Sequence, residues 1–158
     1  MAAHFDAAFV PEYGRTYCEA YGNDLTPHDL VRIMKGHIEL TDETRKEAGA
    51  LLFSDTDPLM TAAWQMMMFG VRSPELDAFS HVGDLYLLLD DDLPWEDDGL
   101  RVHASAQERA AFQALSKAEL DRRGVPYVTI TGEGDARKQM AIAVVQKLLD
   151  LRGRVNSD

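Results

Sequence analysis

Four stretches of this chain place charged residues where apolar runs end. Ala8-Phe-Val10 gives way to Pro11, Glu12, Tyr13 and Arg15, and Leu51-Leu-Phe53 to Ser54, Asp55, Thr56 and Asp57. Leu85-Tyr-Leu-Leu-Leu89 opens into an acidic run from Asp90 to Arg101 that holds Trp95, Asp97 and Asp98. Tyr127-Val-Thr-Ile130 leads to Gly132, Glu133 and Arg137. Carboxylates converging from such points would make a strongly negative crevice, which favours a divalent cation or a cationic substrate. Asp55 follows its apolar run directly, the arrangement that sets an aspartate beside magnesium in phosphoryl transfer, so it is the candidate metal ligand and a catalytic residue. The competing role is a helix cap: Asp57 immediately precedes Pro58 and suits one, whereas Asp55 lies too early. Glu12 can bind a substrate hydroxyl or take its proton, and Arg15 can hold a phosphate or pair with Glu12. His4, His28, His37, His81 and His103 show no ligand spacing and read as surface or core residues. Met66, Met67 and Met68 read as core filling.

These residues need a frame, and the sequence supplies one. The chain alternates short apolar runs of strand length (8–11, 50–54, 84–89 and 127–130) with helical segments. A helix is expected from Tyr13 to Tyr21, stopped by Gly22 and Asn23. Thr26 as N-cap, Pro27 and Asp29 start another that reaches about Glu47, with a break expected near Leu40 to Asp42. Leu59 to Phe69 ends at Gly70. Ser105 and Glu108 form a capping box for a helix to Arg123, stopped by Gly124 and Pro126. Asp135 can cap a last helix whose Ile142, Val145, Leu148 and Leu149 form an apolar stripe. Unbroken apolar runs suit strands covered on both faces. The pattern predicts an α/β fold, an open and mainly parallel sheet with helices on both faces, in a single domain over residues 1–152 with a tail over 153–158. In such sheets ligands bind beyond the carboxyl ends of the strands, where the charged residues stand.

Composition narrows the partners. The 158 residues are 46% hydrophobic and 27% charged, ordinary for a globular domain. The net charge of −11 argues against nucleic acid or an anionic membrane as partner, since binding either needs a basic patch. Cys18 is the one cysteine, so neither an internal disulfide nor a cysteine-ligated zinc site is possible, and a reducing cytoplasm fits. The apolar run from Ala62 to Val71 is far short of the about 20 residues a membrane span needs, and Met1 to Phe5 does not open a signal peptide.

The segments Val10-Pro-Glu-Tyr-Gly-Arg15, Ser54-Asp-Thr-Asp57 and Asp92-Leu-Pro-Trp-Glu-Asp-Asp-Gly-Leu-Arg101 together resemble the ribosylnicotinamide kinase domain of bifunctional NAD-biosynthesis proteins and related AAA-type, P-loop proteins. The resemblance implies a P-loop nucleoside-kinase-like fold and ATP- and Mg2+-dependent phosphoryl transfer to the ribose 5'-hydroxyl of nicotinamide riboside. It assigns Asp55 to magnesium, and Glu12 and Asp57, flanked by Tyr13 and Arg15, to the ribose side. Trp95 would stack on the cationic pyridinium ring, with Asp97 and Asp98 adding a favourable field. Arg101 and Arg109 would close over the phosphates, and Gly132, Glu133 and Arg137 would receive adenine. The chain departs from the pattern in one respect: it contains no Gly-x-x-x-x-Gly-Lys-Ser/Thr, and Gly132-Glu-Gly-Asp-Ala-Arg-Lys138 has the wrong spacing to replace it. The expectation is that the first strand and its phosphate loop precede Met1 and that the chain as given is inactive. In the strand order of such kinases the Leu51 and Leu85 strands both border that first strand and do not pair with each other. An ATPase with another acceptor, or a non-catalytic domain that binds a nucleotide or a protein partner, stand as alternatives.

Overall fold

The computed structural model of the chain describes residues 1–92 and 105–155. A short helix α1 (Ala2–Phe5) precedes strand β1 (Ala8–Val10), which Pro11 closes. Helix α2 (Tyr13–Tyr21) ends at Gly22, whose φ of 88° a residue with a side chain would adopt only under strain. Helix α3 (Pro27–Glu47) begins with the expected capping box: the Thr26 hydroxyl accepts from the Asp29 amide at 3.3 Å, and the Asp29 carboxylate accepts from the Thr26 amide at 2.9 Å. The helix runs on without the break expected near Leu40 to Asp42. Thr41 and Thr44, in and just beyond that stretch, donate their hydroxyls to the carbonyls of His37 and Leu40 four residues back, at 2.7 and 2.8 Å. Their polar groups are therefore satisfied inside the helix rather than in a turn.

Strand β2 (Leu52–Ser54) leads to helix α4 (Pro58–Phe69), and a helix the sequence did not announce, α5 (Pro74–Ala78), follows. Gln65, fully buried in α4, explains how the connection is held. Its amide nitrogen donates to the Pro27 carbonyl at 3.0 Å and to the Ser73 hydroxyl at 2.7 Å, while its oxygen accepts from the Ser73 amide at 2.6 Å. Strand β3 (Tyr86–Leu89), helix α6 (Ala106–Arg123), strand β4 (Tyr127–Ile130) and helix α7 (Gly134–Val155) complete the order. Helix α7 continues past residue 152, where the sequence had suggested the tail begins.

Both strand pairings are parallel. β1 lies beside β2 with Val10 opposite Ser54, and the Asp55 amide extends the ladder by donating to the Val10 carbonyl at 2.8 Å. β3 lies beside β4 with Leu88 opposite Thr129, bracketed by Tyr86 N–H to Pro126 and Asp90 N–H to Ile130, each at 2.9 Å. Among the described residues no ladder joins β2 to β3, as the sequence led one to expect.

The core lies between helices. α4 packs against α3 and α6, and Leu59, Leu76 and Leu120 are wholly buried there. Trp64 of α4 stacks on Phe112 of α6 with ring centroids 3.9 Å apart. The Tyr13 ring lies so close over Gly36 of α3 that any Cβ at position 36 would overlap it. Beside this core Glu119 of α6 is 2% exposed and receives Arg72 at 2.6 Å, Arg122 at 2.6 Å and Arg123 at 3.2 Å. Arg123 also donates to the carbonyls of Leu76 and Phe79 at the end of α5. Burial alone would raise the Glu119 carboxyl, but the hydrogen bonds from the three arginines bring it down to about 2.

Candidate functional site

The carboxyl ends of the strands carry most of the charged residues that the sequence singled out. Beyond β1, Glu12 precedes α2 and meets Arg15 at 3.4 Å, an exposed pair of the kind the sequence allowed. Tyr13, one residue on, is turned to the α3 face at Gly36 and packs on the core.

Beyond β2 the geometry is more constrained. Asp55 is exposed, its backbone held to β1. Thr56 has a φ of 63°, in the left-handed region. For a β-branched residue this conformation costs about 1 to 3 kcal/mol. The Ser54 hydroxyl donates to the Thr56 carbonyl at 2.8 Å, and His37 of α3, 3% exposed, brings Nε2 to 3.0 Å from the same hydroxyl oxygen. Burial pushes the His37 imidazole below its ordinary pKa, against the opposing charge of Asp55.

Asp57 resolves the question between cap and ligand in favour of structure for both its oxygens. Oδ1 accepts from the Leu59 and Met60 amides at 2.9 and 3.2 Å, capping α4, and Oδ2 accepts from the Tyr86 hydroxyl. That hydroxyl in turn accepts from the Gly83 amide at 3.0 Å. Burial pushes the Asp57 carboxyl above the usual carboxylate range, and burial followed by the charge of Asp57 pushes the Tyr86 phenol above its own. The Asp57–Tyr86 bond ties the residues after β2 to β3.

Beyond β3 and β4 two arginines meet acids of the run that follows β3. Arg109 of α6 donates from Nε to Asp91 at 2.8 Å. Arg137 of α7 meets Asp92 at 3.1 Å and donates to the Asp90 and Ile130 carbonyls at 2.6 and 3.3 Å. The Gly132 amide also donates to Asp92, at 2.5 Å. Arg109, Gly132 and Arg137 are thus gathered around the residues that follow β3, while Glu133 is exposed in the same turn. Among the described residues no three or more His, Cys, Asp or Glu side chains converge as a metal site. Arginines meet two of the acids, Asp91 and Asp92. Trp95, Asp97, Asp98 and Arg101 lie outside the described residues. Among the described residues no helix is long and apolar enough to cross a membrane.

His37 and Tyr86 hold positions at the strand ends that their sequence context does not indicate. The burial of His37 was legible, since it continues the helical spacing of Leu30, Ile33 and Met34. Nothing in the sequence indicated that it faces Ser54, or that Tyr86 reaches Asp57.

Parallel strands alternating with helices, with charged residues collected at the strand ends, define an α/β protein of the P-loop-like class. The pattern of the AAA domain family matches residues 1–137, so the chain belongs to that family. Curated proteins similar to it include the trifunctional NAD biosynthesis/regulator protein NadR of Escherichia coli, 30% identical over 94% of this chain, and that of Salmonella typhimurium, 30% identical over 97%. The matches take up 38% and 39% of those proteins, so the chain spans about two fifths of their length.

Proposed function

We propose that the chain is a nucleoside-kinase-like domain of NAD biosynthesis, and that in the working enzyme it presents nicotinamide riboside for phosphorylation by magnesium-ATP. Its similarity along nearly its whole length to two NAD biosynthesis proteins is the observation that carries this reading. The residues fit the chemistry. Magnesium in phosphoryl-transfer sites is held by one or two carboxylates together with substrate phosphates and water, so a single exposed Asp55 at a strand end is sufficient protein ligation. Glu12 and Arg15, beyond the adjacent strand, serve the ribose side. Trp95 supplies the aromatic face, and Asp97 and Asp98 the negative field, for the pyridinium ring. Arg101 and Arg109 serve the phosphates, and Gly132, Glu133 and Arg137 the adenine.

The sequence holds no phosphate-cradling Gly-x-x-x-x-Gly-Lys-Ser/Thr. This favours, as a second reading, a domain that binds a nucleoside without transferring phosphate on its own. Calorimetry on the 158-residue chain tests both readings. Nicotinamide riboside is expected to bind, and Trp95→Ala to weaken it by about 1 to 2 kcal/mol, the contribution of stacking on a cation in a desolvated site. Magnesium-ATP is expected not to bind tightly, because the sequence lacks the loop whose backbone donors cradle its phosphates. Absence of nicotinamide riboside binding would remove the acceptor assignment. Tight magnesium-ATP binding would remove the phosphate-loop argument.

A further inference from the structure

Three consecutive residues after β2 are each fastened to something different. The Asp55 amide is bonded to the Val10 carbonyl of β1, the Thr56 carbonyl to the Ser54 hydroxyl, and the Asp57 carboxylate to the start of α4 and to Tyr86. Of the three, Thr56 alone adopts a backbone conformation that its side chain opposes, with φ at 63°. Left to itself a β-branched residue would rotate back to negative φ, and the peptide between Thr56 and Asp55 would turn with it. The Ser54 hydroxyl has one proton, and that proton goes to the Thr56 carbonyl. The 3.0 Å contact with His37 therefore has Nε2–H as donor and the Ser54 oxygen as acceptor. His37 is buried in the wall of α3 and cannot follow if the loop moves. The chain of bonds runs from a helix in the core, through a serine at the strand end, to the one strained peptide beside Asp55.

We propose that His37 and Ser54 are positioning residues that together hold Thr56 in the left-handed conformation and so fix where Asp55 presents its carboxylate. The functional meaning of this brace rests on the reading of Asp55 as the cation ligand, but its existence does not. Thr56→Gly separates the brace from ordinary stabilisation, because glycine adopts the same φ without strain and needs no brace to stay there. A hydrogen bond that only added stability would be missed equally with threonine or glycine at position 56.

The experiment uses the 158-residue chain and two readouts by nuclear magnetic resonance. The first is hydrogen exchange of the Asp55 amide. Ser54→Ala is expected to speed it by about fivefold or more, the factor expected for a hydrogen bond of ordinary net strength, and adding Thr56→Gly to that variant is expected to restore the protection. His37→Leu should reproduce the loss, and His37→Gln, which keeps a donor at similar reach, should show much less of it. Unchanged exchange in Ser54→Ala, or a loss that Thr56→Gly does not restore, overturns the proposal. Ser54 is exposed, so this test decides the matter even if His37→Leu fails to fold. The second readout is paramagnetic broadening of the Asp55 resonance by manganese as a probe for a divalent cation. Broadening that weakens in Ser54→Ala and returns with Thr56→Gly ties the brace to cation binding. No broadening in the unaltered chain would defeat the cation reading of Asp55, and the brace itself would then stand or fall on exchange alone.

Discussion

Asp57 serves two partners, and its substitutions should show which matters more. Asp57→Ala removes the cap of α4 and also leaves the Tyr86 hydroxyl without its acceptor. An N-cap is worth about 1 kcal/mol and a buried polar group left unsatisfied about 1 to 3, so a loss of about 2 kcal/mol or more in denaturant unfolding is expected. Tyr86→Phe removes only the second part and should cost less. If the two variants were equally destabilised, the cap would be contributing nothing. Asp55 differs: its side chain is exposed, and Asp55→Asn should leave stability within about 0.5 kcal/mol, as for other surface substitutions. The neighbouring aspartates, two residues apart, are thus given different work by the conformation of Thr56 between them.

Among the elements, α2 and α3 illustrate a constraint that propensity conceals. Gly36 lies inside a helix of 21 residues, where glycine is less favourable than alanine by about 1 kcal/mol. Gly36→Ala would therefore stabilise an isolated α3. In the folded chain it is expected to destabilise by about 1 to 3 kcal/mol, because the added methyl overlaps the Tyr13 ring and forces α2 outward. Tyr13→Ala in the same background should recover part of that loss. A melting temperature that rises in the single variant would show that the Tyr13 ring does not rest on α3. Since Tyr13 directly follows Glu12, displacing α2 also displaces the Glu12 and Arg15 pair from the end of β1.

For the molecule as a whole, the cluster around Glu119 joins the loop after α4, the end of α5 and the last turns of α6. Its carboxyl falls from the ordinary 4.5 to about 2 on folding, so the folded state binds the proton less readily than the unfolded chain. The stabilisation is fully present above about pH 4.5 and is lost as the pH falls towards 2. Glu119→Gln is expected to lower stability by about 3 kcal/mol at neutral pH, since it leaves Arg72, Arg122 and Arg123 around a neutral group. The difference from the unaltered chain should shrink on acidification through that window. A difference that stayed constant from neutral pH to about pH 2 would mean that Glu119 is not ionised in the folded chain.

The features fixed by near neighbours were legible in the sequence alone. Capping boxes at Thr26 and Ser105, helix stops at Gly22, Gly70 and Gly124, and the four apolar runs all depend on residues within a turn or a strand of one another. Parallel pairing followed from the unbroken apolar runs, and the non-pairing of β2 with β3 from the resemblance to kinases of known strand order. The continuous α3 and the added α5 were not legible: the first depended on hydroxyls turning inward to their own helix, the second on buried Gln65 gripping Ser73 at the start of α5. At the candidate site the sequence supplied the charged residues but not their pairings. His37 meets Ser54 across 17 positions, Asp57 meets Tyr86 across 29 and Arg137 meets the Asp90 carbonyl across 47. Such bonds are decided by how helices dock on strands, because side chains far apart in sequence meet only after the apolar faces between them have closed. Which aspartate is left exposed at the end of β2, and which is spent on the fold, was decided there.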